Sequence, residues 1–232
     1  MGASSQSELI ELLASSELFA DLSDDEKSNV ADHMQKRRYR ANEALFYEGD
    51  EGSHLYLISS GRVSISSRSP EGREVLVAFL GPGEIIGELS LLDGEPRSAE
   101  ARAVEATEAY VLSAAALNSC IDRSPGLSWA LLKMLARRLR KADEAVADAA
   151  FLDVAGRVAK RLVDLAENHG SPTETGIRIG IPVTQEQLAA MVGATREGVN
   201  RALAGFANRG ILERKGRFYV VKDLARLEAR AT

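Results

Sequence analysis

Apolar positions along this chain change their period three times. Ser7–Ala14 and Asp24–Met34 read as short amphipathic helices, the second announced by Ser23 followed by Glu26 in the spacing of a capping box. Between Gly49 and Gly94 lie eight of the nineteen glycines, and short apolar runs stand between them: Leu55–Ile58, Val63–Ile65 and Val75–Leu80. Ala101–Val104 and Ala109–Leu112 follow. Short strands punctuated by glycine turns predict an antiparallel barrel or roll. After Pro125, Ser128, Leu132, Leu135, Leu139, Ala142, Val146 and Ala149 recur at alternating spacings of four and three. That repeat puts one narrow apolar seam on a long helix, suited to packing against its own copy. A long helix lying on its own domain is the alternative. Asp153 then caps a helix reaching about Asn168, Gly170 ends it, Ser171–Gly176 reads as loop, and two helices and a hairpin complete the chain.

A length of 232 residues suits one large domain or two small ones, and 45% hydrophobic with 27% charged residues describes a soluble globular chain. The longest apolar run, Val75–Leu80, is far too short to span a membrane. The N-terminus lacks a signal layout, and Gln6 stands where myristoylation wants Ser or Thr. The expected location is the cytoplasm, with no membrane partner. One cysteine, Cys120, and three scattered histidines, His33, His54 and His169, offer no disulfide and no metal-ligand spacing, so no metal is expected. Trp129 and Cys120 read as core or helix-packing residues, and His33 and His54 as surface or turn positions.

The net charge of −5 argues against a nucleic-acid partner until it is divided along the chain. From Thr184 onward there are nine Lys/Arg against five Asp/Glu, which leaves an acidic body and a basic end. Within that end, Thr184 to Gln187 is a capping box opening a helix that carries Leu188, Ala189 and Val192 on one side, and Gly193 breaks it. Thr195 caps a second helix whose Val199, Ala202, Leu203 and Phe206 form a buried face. Two helices across a glycine turn describe a helix-turn-helix. Thr195, Arg196, Glu197, Asn200 and Arg201 crowd the start of the second helix, where a reader of DNA presents side chains to base edges. Arginine can donate two bonds to guanine, and glutamate can accept from cytosine. A solvated helix face is the plainer reading. Ile211–Val221 reads as a basic wing turning at Lys215-Gly216, with Arg214, Lys215 and Arg217 available to phosphates.

In the glycine-rich half, Gly87-Glu-Leu-Ser-Leu-Leu-Asp-Gly-Glu-Pro-Arg-Ser-Ala99 can hold a cyclic phosphate. Gly87 permits close backbone approach, the amides of a short turn beginning near Glu88 would face an anion, and Arg97 offers a forked charge-assisted contact.

With this cassette, Phe46-Tyr-Glu-Gly-Asp50, Leu55–Gly61, Ala150–Val154 with Gly156-Arg157, and Val192–Glu197, the sequence resembles the CRP/FNR family of bacterial transcription regulators from about Leu18 to Leu227. The resemblance implies an α+β protein: a jelly-roll cyclic-nucleotide domain with N-terminal helices at 1–124, a dimerisation helix and hinge at 125–152, and a winged helix-turn-helix at 153–232. It implies a cyclic-nucleotide site of Gly87, Glu88, Leu89, Ser90, Arg97, Ser98, Ala142 and Asp143. There Glu88 would accept the ribose 2′-hydroxyl, Arg97 would clamp the phosphate and Ser98 would donate to it. Arg196, Glu197 and Arg201 match the family's base-reading positions, and Leu132, Leu135, Leu139, Ala142 and Val146 would form the dimer seam.

Two positions depart from the pattern. Where cAMP-binding members offer threonine and then serine or asparagine to the adenine, this chain has Ala142 and Asp143, and aspartate could accept from adenine or guanine. Gly198 replaces a threonine in the reading helix, costing about 1 kcal/mol in helix propensity and removing a hydroxyl that could hold a phosphate.

The implied protein is a homodimeric, non-enzymatic regulator with a cyclic-nucleotide effector, cAMP ahead of cGMP. It would bind a palindromic site on double-stranded DNA and engage RNA polymerase. Control by a cyclic dinucleotide, ligand independence, and a nucleotide-sensing module that contacts protein instead of DNA are the alternatives.

Overall fold

The computed structural model describes residues 3–68 and 74–231. The chain forms two compact units, Met1–Leu139 and Arg140–Thr232, and the division falls within a single helix running from Pro125 to Phe151.

The first unit opens with helices α1 (Ala3–Ser15) and α2 (Asp24–His33). The α2 capping box is present: the Ser23 amide donates to Glu26 Oε2 at 2.8 Å, and the Glu26 amide donates to Ser23 Oγ at 3.4 Å. Eight strands follow among the described residues: β1 (Gln35–Tyr39), β2 (Ala44–Phe46), β3 (His54–Ser60), β4 (Val63–Arg68), β5 (Glu74–Leu80), β6 (Ile85–Ile86), β7 (Glu100–Ala103) and β8 (Thr107–Ser113). Helix α3 (Leu89–Asp93) lies between β6 and β7, and α4 (Ala114–Arg123) follows β8, capped by Ser113. The strands form two four-stranded antiparallel sheets, ordered β1-β8-β3-β6 and β2-β7-β4-β5.

Strand alternation decides which core each residue joins. On β3, Tyr56 and Ile58 enter the cluster between the sheets with Ala101, Ala103, Ala109 and Val111, while Leu55 and Leu57 enter the cluster beneath the helices. Gly61 turns β3 into β4 at φ +78°, where a Cβ would lie 2.4 Å from the Ala106 carbonyl oxygen. Only glycine fits there.

Helix α5 (Pro125–Phe151) carries two apolar stripes. Leu127, Ala130, Leu131 and Met134 are buried against the first unit, and Leu135 packs partly against the same cluster. Leu132, Leu139 and Val146 are instead 56%, 63% and 71% exposed, and Ala142 is exposed with them. The structure corrects the expectation for Trp129. At 67% exposure it belongs to the open side of α5, whereas Cys120 is fully buried.

In the second unit Asp153 caps α6 (Val154–His169), accepting from the Gly156 amide at 2.7 Å. The segment Ser171–Gly176, expected as loop, contributes to a hairpin: β9 (Gly170–Thr173) pairs antiparallel with β10 (Gly176–Ile179). Helices α7 (Gln185–Val192) and α8 (Arg196–Asn208) follow, then β11 (Leu212–Lys215), β12 (Phe218–Val221) and α9 (Leu224–Glu228). The second sheet edge explains the correction. Ile177 of β10 stands opposite Val221 of β12, so the polar hairpin is recruited into a sheet ordered β11-β12-β10-β9.

Candidate functional sites

Arg97 lies at the centre of the first site, 4% exposed in a socket built from three separated sequence segments. Its backbone is fixed on both sides: the Gly49 amide donates to the Arg97 carbonyl at 2.8 Å, and the Arg97 amide donates to the Asp50 carbonyl at 2.9 Å. Its guanidinium lies 4.3 Å from the Phe46 ring and 6.0 Å from the Tyr56 ring. Nη1 donates to the Gly87 carbonyl at 2.5 Å and Nη2 to the His54 carbonyl at 2.6 Å. Gly87 has φ +82°, and a Cβ there would come within 2.6 Å of Arg97 Nη1. A Cβ on Gly52 would meet that of Ser90 at 2.1 Å. Both glycines are therefore required by close approach, since any side chain would push the arginine or α3 out of place.

Glu88 precedes α3 and is 1% exposed. Its carboxylate is paired through Oε1 with Arg138 of α5, whose Nη2 also donates to the Ile85 carbonyl at 2.6 Å. Arg138 was not among the residues that the sequence singled out. Among the described residues three buried side-chain polar atoms have no partner, and two of them, Glu88 Oε2 and Arg97 Nε, belong to this cradle. Burial pulls Arg97 below the ordinary guanidinium value, opposed by Tyr56, Glu88 and Asp50. His54 is likewise lowered, first by burial and then by Arg37 and Arg97. A buried cation facing an unsatisfied carboxylate oxygen suits a ligand that carries an anion and a hydroxyl. Ser90 is buried beside Gly52, whereas Leu89 and Ser98 are exposed. Ala142 and Asp143 are exposed on the part of α5 that belongs to the second unit.

The second site is the helix-turn-helix. Thr184 and Gln187 form the capping box of α7, Gly193 ends it at φ +59°, and Thr195 caps α8 by accepting from the Gly198 amide at 3.1 Å. Val199, Ala202, Leu203 and Phe206 are buried, while Arg196, Glu197, Asn200 and Arg201 all face outward. Gly198 is buried, and a Cβ there would lie 3.5 Å from Val154 Cγ1. The nearest atom to that Cβ is Thr195 Oγ1 at 3.3 Å, so a side chain at position 198 would start between the helix cap and α6.

The wing turns through Gly216 (φ +62°) and Arg217, and Arg214, Lys215 and Arg217 are exposed. Two further arginines of this unit make contacts that the sequence did not single out. Arg178 lies 3.8 Å from the Phe218 ring. Arg157, quoted only as part of a motif, donates to the Leu152 carbonyl at 2.8 Å and to the Val192 carbonyl at 2.9 Å.

Comparison with known proteins agrees with both halves. Residues 36–124 match the cyclic nucleotide-binding domain, and residues 156–230 match the Crp-like helix-turn-helix domain. The CRP-like cAMP-activated global transcriptional regulator of Mycobacterium tuberculosis is 39% identical over 221 residues, covering 95% of this chain and 99% of the relative. This chain belongs to the CRP/FNR family of transcription regulators. Among solved structures of the family, the catabolite activator protein of Thermus thermophilus is 36% identical, with a TM-score of 0.56 covering 93% of this chain and 98% of that one. The c-di-GMP responsive regulator CLP of Xanthomonas campestris is 27% identical, with a TM-score of 0.75 over 86% and 99%. The CRP/FNR fold is thus present along the chain: a cyclic nucleotide-binding sheet domain, a long helix and a helix-turn-helix domain. Among the described residues no group of three or more His, Cys, Asp or Glu could hold a metal ion, and no helix is long and apolar enough to cross a membrane.

Proposed function

We propose that this CRP/FNR regulator acts in the cytoplasm as a homodimer, controlled by a 3′,5′-cyclic nucleotide, and reads a palindromic DNA site through α8. The observation that carries the reading is the pair of unpartnered buried atoms, Glu88 Oε2 and Arg97 Nε, in one cradle. Arg97 neutralises the phosphate and Ser98 donates to it, Glu88 accepts the ribose 2′-hydroxyl, and Gly87, Leu89 and Ser90 line the approach. Ala142 and Asp143 of α5 meet the base. The likeness to the cAMP-activated regulator of Mycobacterium tuberculosis favours cAMP as effector.

Nucleotide binding biases α5 and, through the Phe151–Asp153 joint, the placement of the DNA-binding domains, whose reading helices would stand about 34 Å apart. Ligand drives this only through preference for the DNA-ready state, a hundredfold preference being worth about 2.7 kcal/mol per site. Arg196, Glu197, Asn200 and Arg201 read bases, Thr195 stands beside them, and Arg214, Lys215 and Arg217 contact phosphates. Leu132, Leu135, Leu139, Ala142 and Val146 form the dimer seam, and RNA polymerase is the partner at the promoter. The protein works by binding, without catalysis.

A second reading, a cyclic dinucleotide as effector, is favoured by the likeness to a c-di-GMP responsive regulator and by Asp143, which can accept from guanine. Melting temperature measured against cAMP, cGMP and c-di-GMP separates the readings, because a bound ligand stabilises the fold by mass action. A shift with cAMP alone supports the first, a shift with c-di-GMP alone supports the second, and no shift with any rejects nucleotide control.

A further inference from the structure

The first turns of α8 contain one side chain whose orientation is set by a different helix. Asn200 Oδ1 accepts a hydrogen bond of 3.1 Å from Nε2 of Gln185, the first residue of α7. At about 100° per residue, Asn200 falls between Arg196 and Glu197 on the exposed arc of α8, opposite buried Ala202. It therefore stands among the proposed base-reading residues, and the role inferred for it rests on that reading of α8.

A lone asparagine on a helix surface can turn its amide either way and must give up that freedom on binding. Here the Gln185 side chain holds that of Asn200, its Nε2 donating to the oxygen end of the Asn200 amide. The two free groups left on Asn200 are its Nδ2 hydrogens and the second lone pair of Oδ1. Together they present a donor and an acceptor side by side, complementary to N7 and the N6 amino group of adenine in the major groove.

We infer that Asn200 reads an adenine in the DNA half-site and that Gln185 is the positioning residue that holds its amide for that contact. Gln185 itself need not touch a base.

The test is selection of the full-length chain on a duplex library with randomised half-sites, with and without cAMP, followed by sequencing of the bound fraction. The wild type is expected to select a site containing an adenine whose enrichment depends on Asn200. Asn200→Ala and Gln185→Ala should each weaken discrimination at that one base pair by about tenfold, leaving preferences at other positions in place. Gln185→Glu separates positioning from mere packing. Glutamate can only accept, so it draws Nδ2 of Asn200 instead, reverses the amide and should move the preference off adenine. Asn200 is exposed and Gln185 half-buried, and circular dichroism checks that the variants are folded.

If Asn200→Ala lowers affinity equally for all sequences and reduces the salt slope by about one, Asn200 is a phosphate contact and the inference is wrong. If Asn200→Ala alters the base preference but neither Gln185 variant does, the positioning role is wrong. A wild type that selects no sequence in either condition overturns the DNA-reading role itself.

Discussion

At the scale of single residues, Arg97 and Glu88 face different consequences when altered. Arg97 lies against Phe46 and bonds two carbonyls through separate nitrogens, a geometry that needs a planar fork. Arg97→Ala should lower cyclic-nucleotide affinity at least tenfold in calorimetry, and Arg97→Lys should recover little of it, since an ammonium supplies charge without the fork. Unchanged affinity in Arg97→Ala would refute the phosphate assignment. Glu26 provides a pH-dependent case. Its carboxylate accepts from Ser124, from the Ser23 amide and from the Ser23 hydroxyl, and these bonds hold its pKa below the ordinary value. A depressed carboxyl pKa contributes stability that is present above the unfolded value and lost as pH falls through the folded one. The melting-temperature advantage of the wild type over Glu26→Gln should therefore shrink below about pH 4, and an advantage that persists there would contradict the assignment.

Residues brought together by a local motif were legible at this scale. Gly87, Glu88 and Arg97 stand in one short cassette, and the structure gathers them into one buried cradle. Arg138 was not legible, because it is surrounded on α5 by Arg137, Arg140 and Lys141, and only the position of Glu88 in space distinguishes it. His54 was dismissed as a side chain, yet it enters the cradle through its carbonyl, a contribution that residue type does not encode.

At the scale of elements, helix ends were read more reliably than edge strands. Ser23, Asp153, Thr184 and Thr195 all cap where their side-chain chemistry predicts, because an N-cap is a contact between residues three apart. Strands β9 and β10 escaped notice because Gly170–Thr173 is polar and contains proline, and its pairing depends on a sheet assembled from distant residues. Gly198 needed the same wider view, since spacing places it in the reading helix but only packing shows that it points towards Val154. Thr195→Ala removes the bond to the Gly198 amide and should destabilise the second unit by about 1 kcal/mol, read as a lower denaturation midpoint. A midpoint equal to that of the wild type would show that the cap contributes nothing.

At the scale of the whole molecule, α5 satisfies two demands that the heptad pattern alone could not separate. Its Leu127, Ala130, Leu131 and Met134 stripe is consumed by its own unit, whereas Leu132, Leu139 and Val146 remain open to solvent. Apolar side chains repeated along one exposed stripe are the signature of an association surface. Leu139→Asp should produce monomers in sedimentation equilibrium with little loss of helix content, because Leu139 contributes nothing to the buried core of either unit; a persistent dimer would place the interface elsewhere. The division of charge belongs to this scale too. An acidic body with a basic end predicts DNA affinity that falls steeply with added salt, and salt-independent binding would favour a protein partner for the second unit.

Arg157 joins these scales. By donating at once to Leu152, in the joint after α5, and to Val192, the last residue of α7, it ties the joint to the helix-turn-helix corner. A displacement of the joint would carry that corner with it. An effector acting through the joint would then leave the grammar of base recognition untouched and alter only where, and how often, the reading head is offered to the groove.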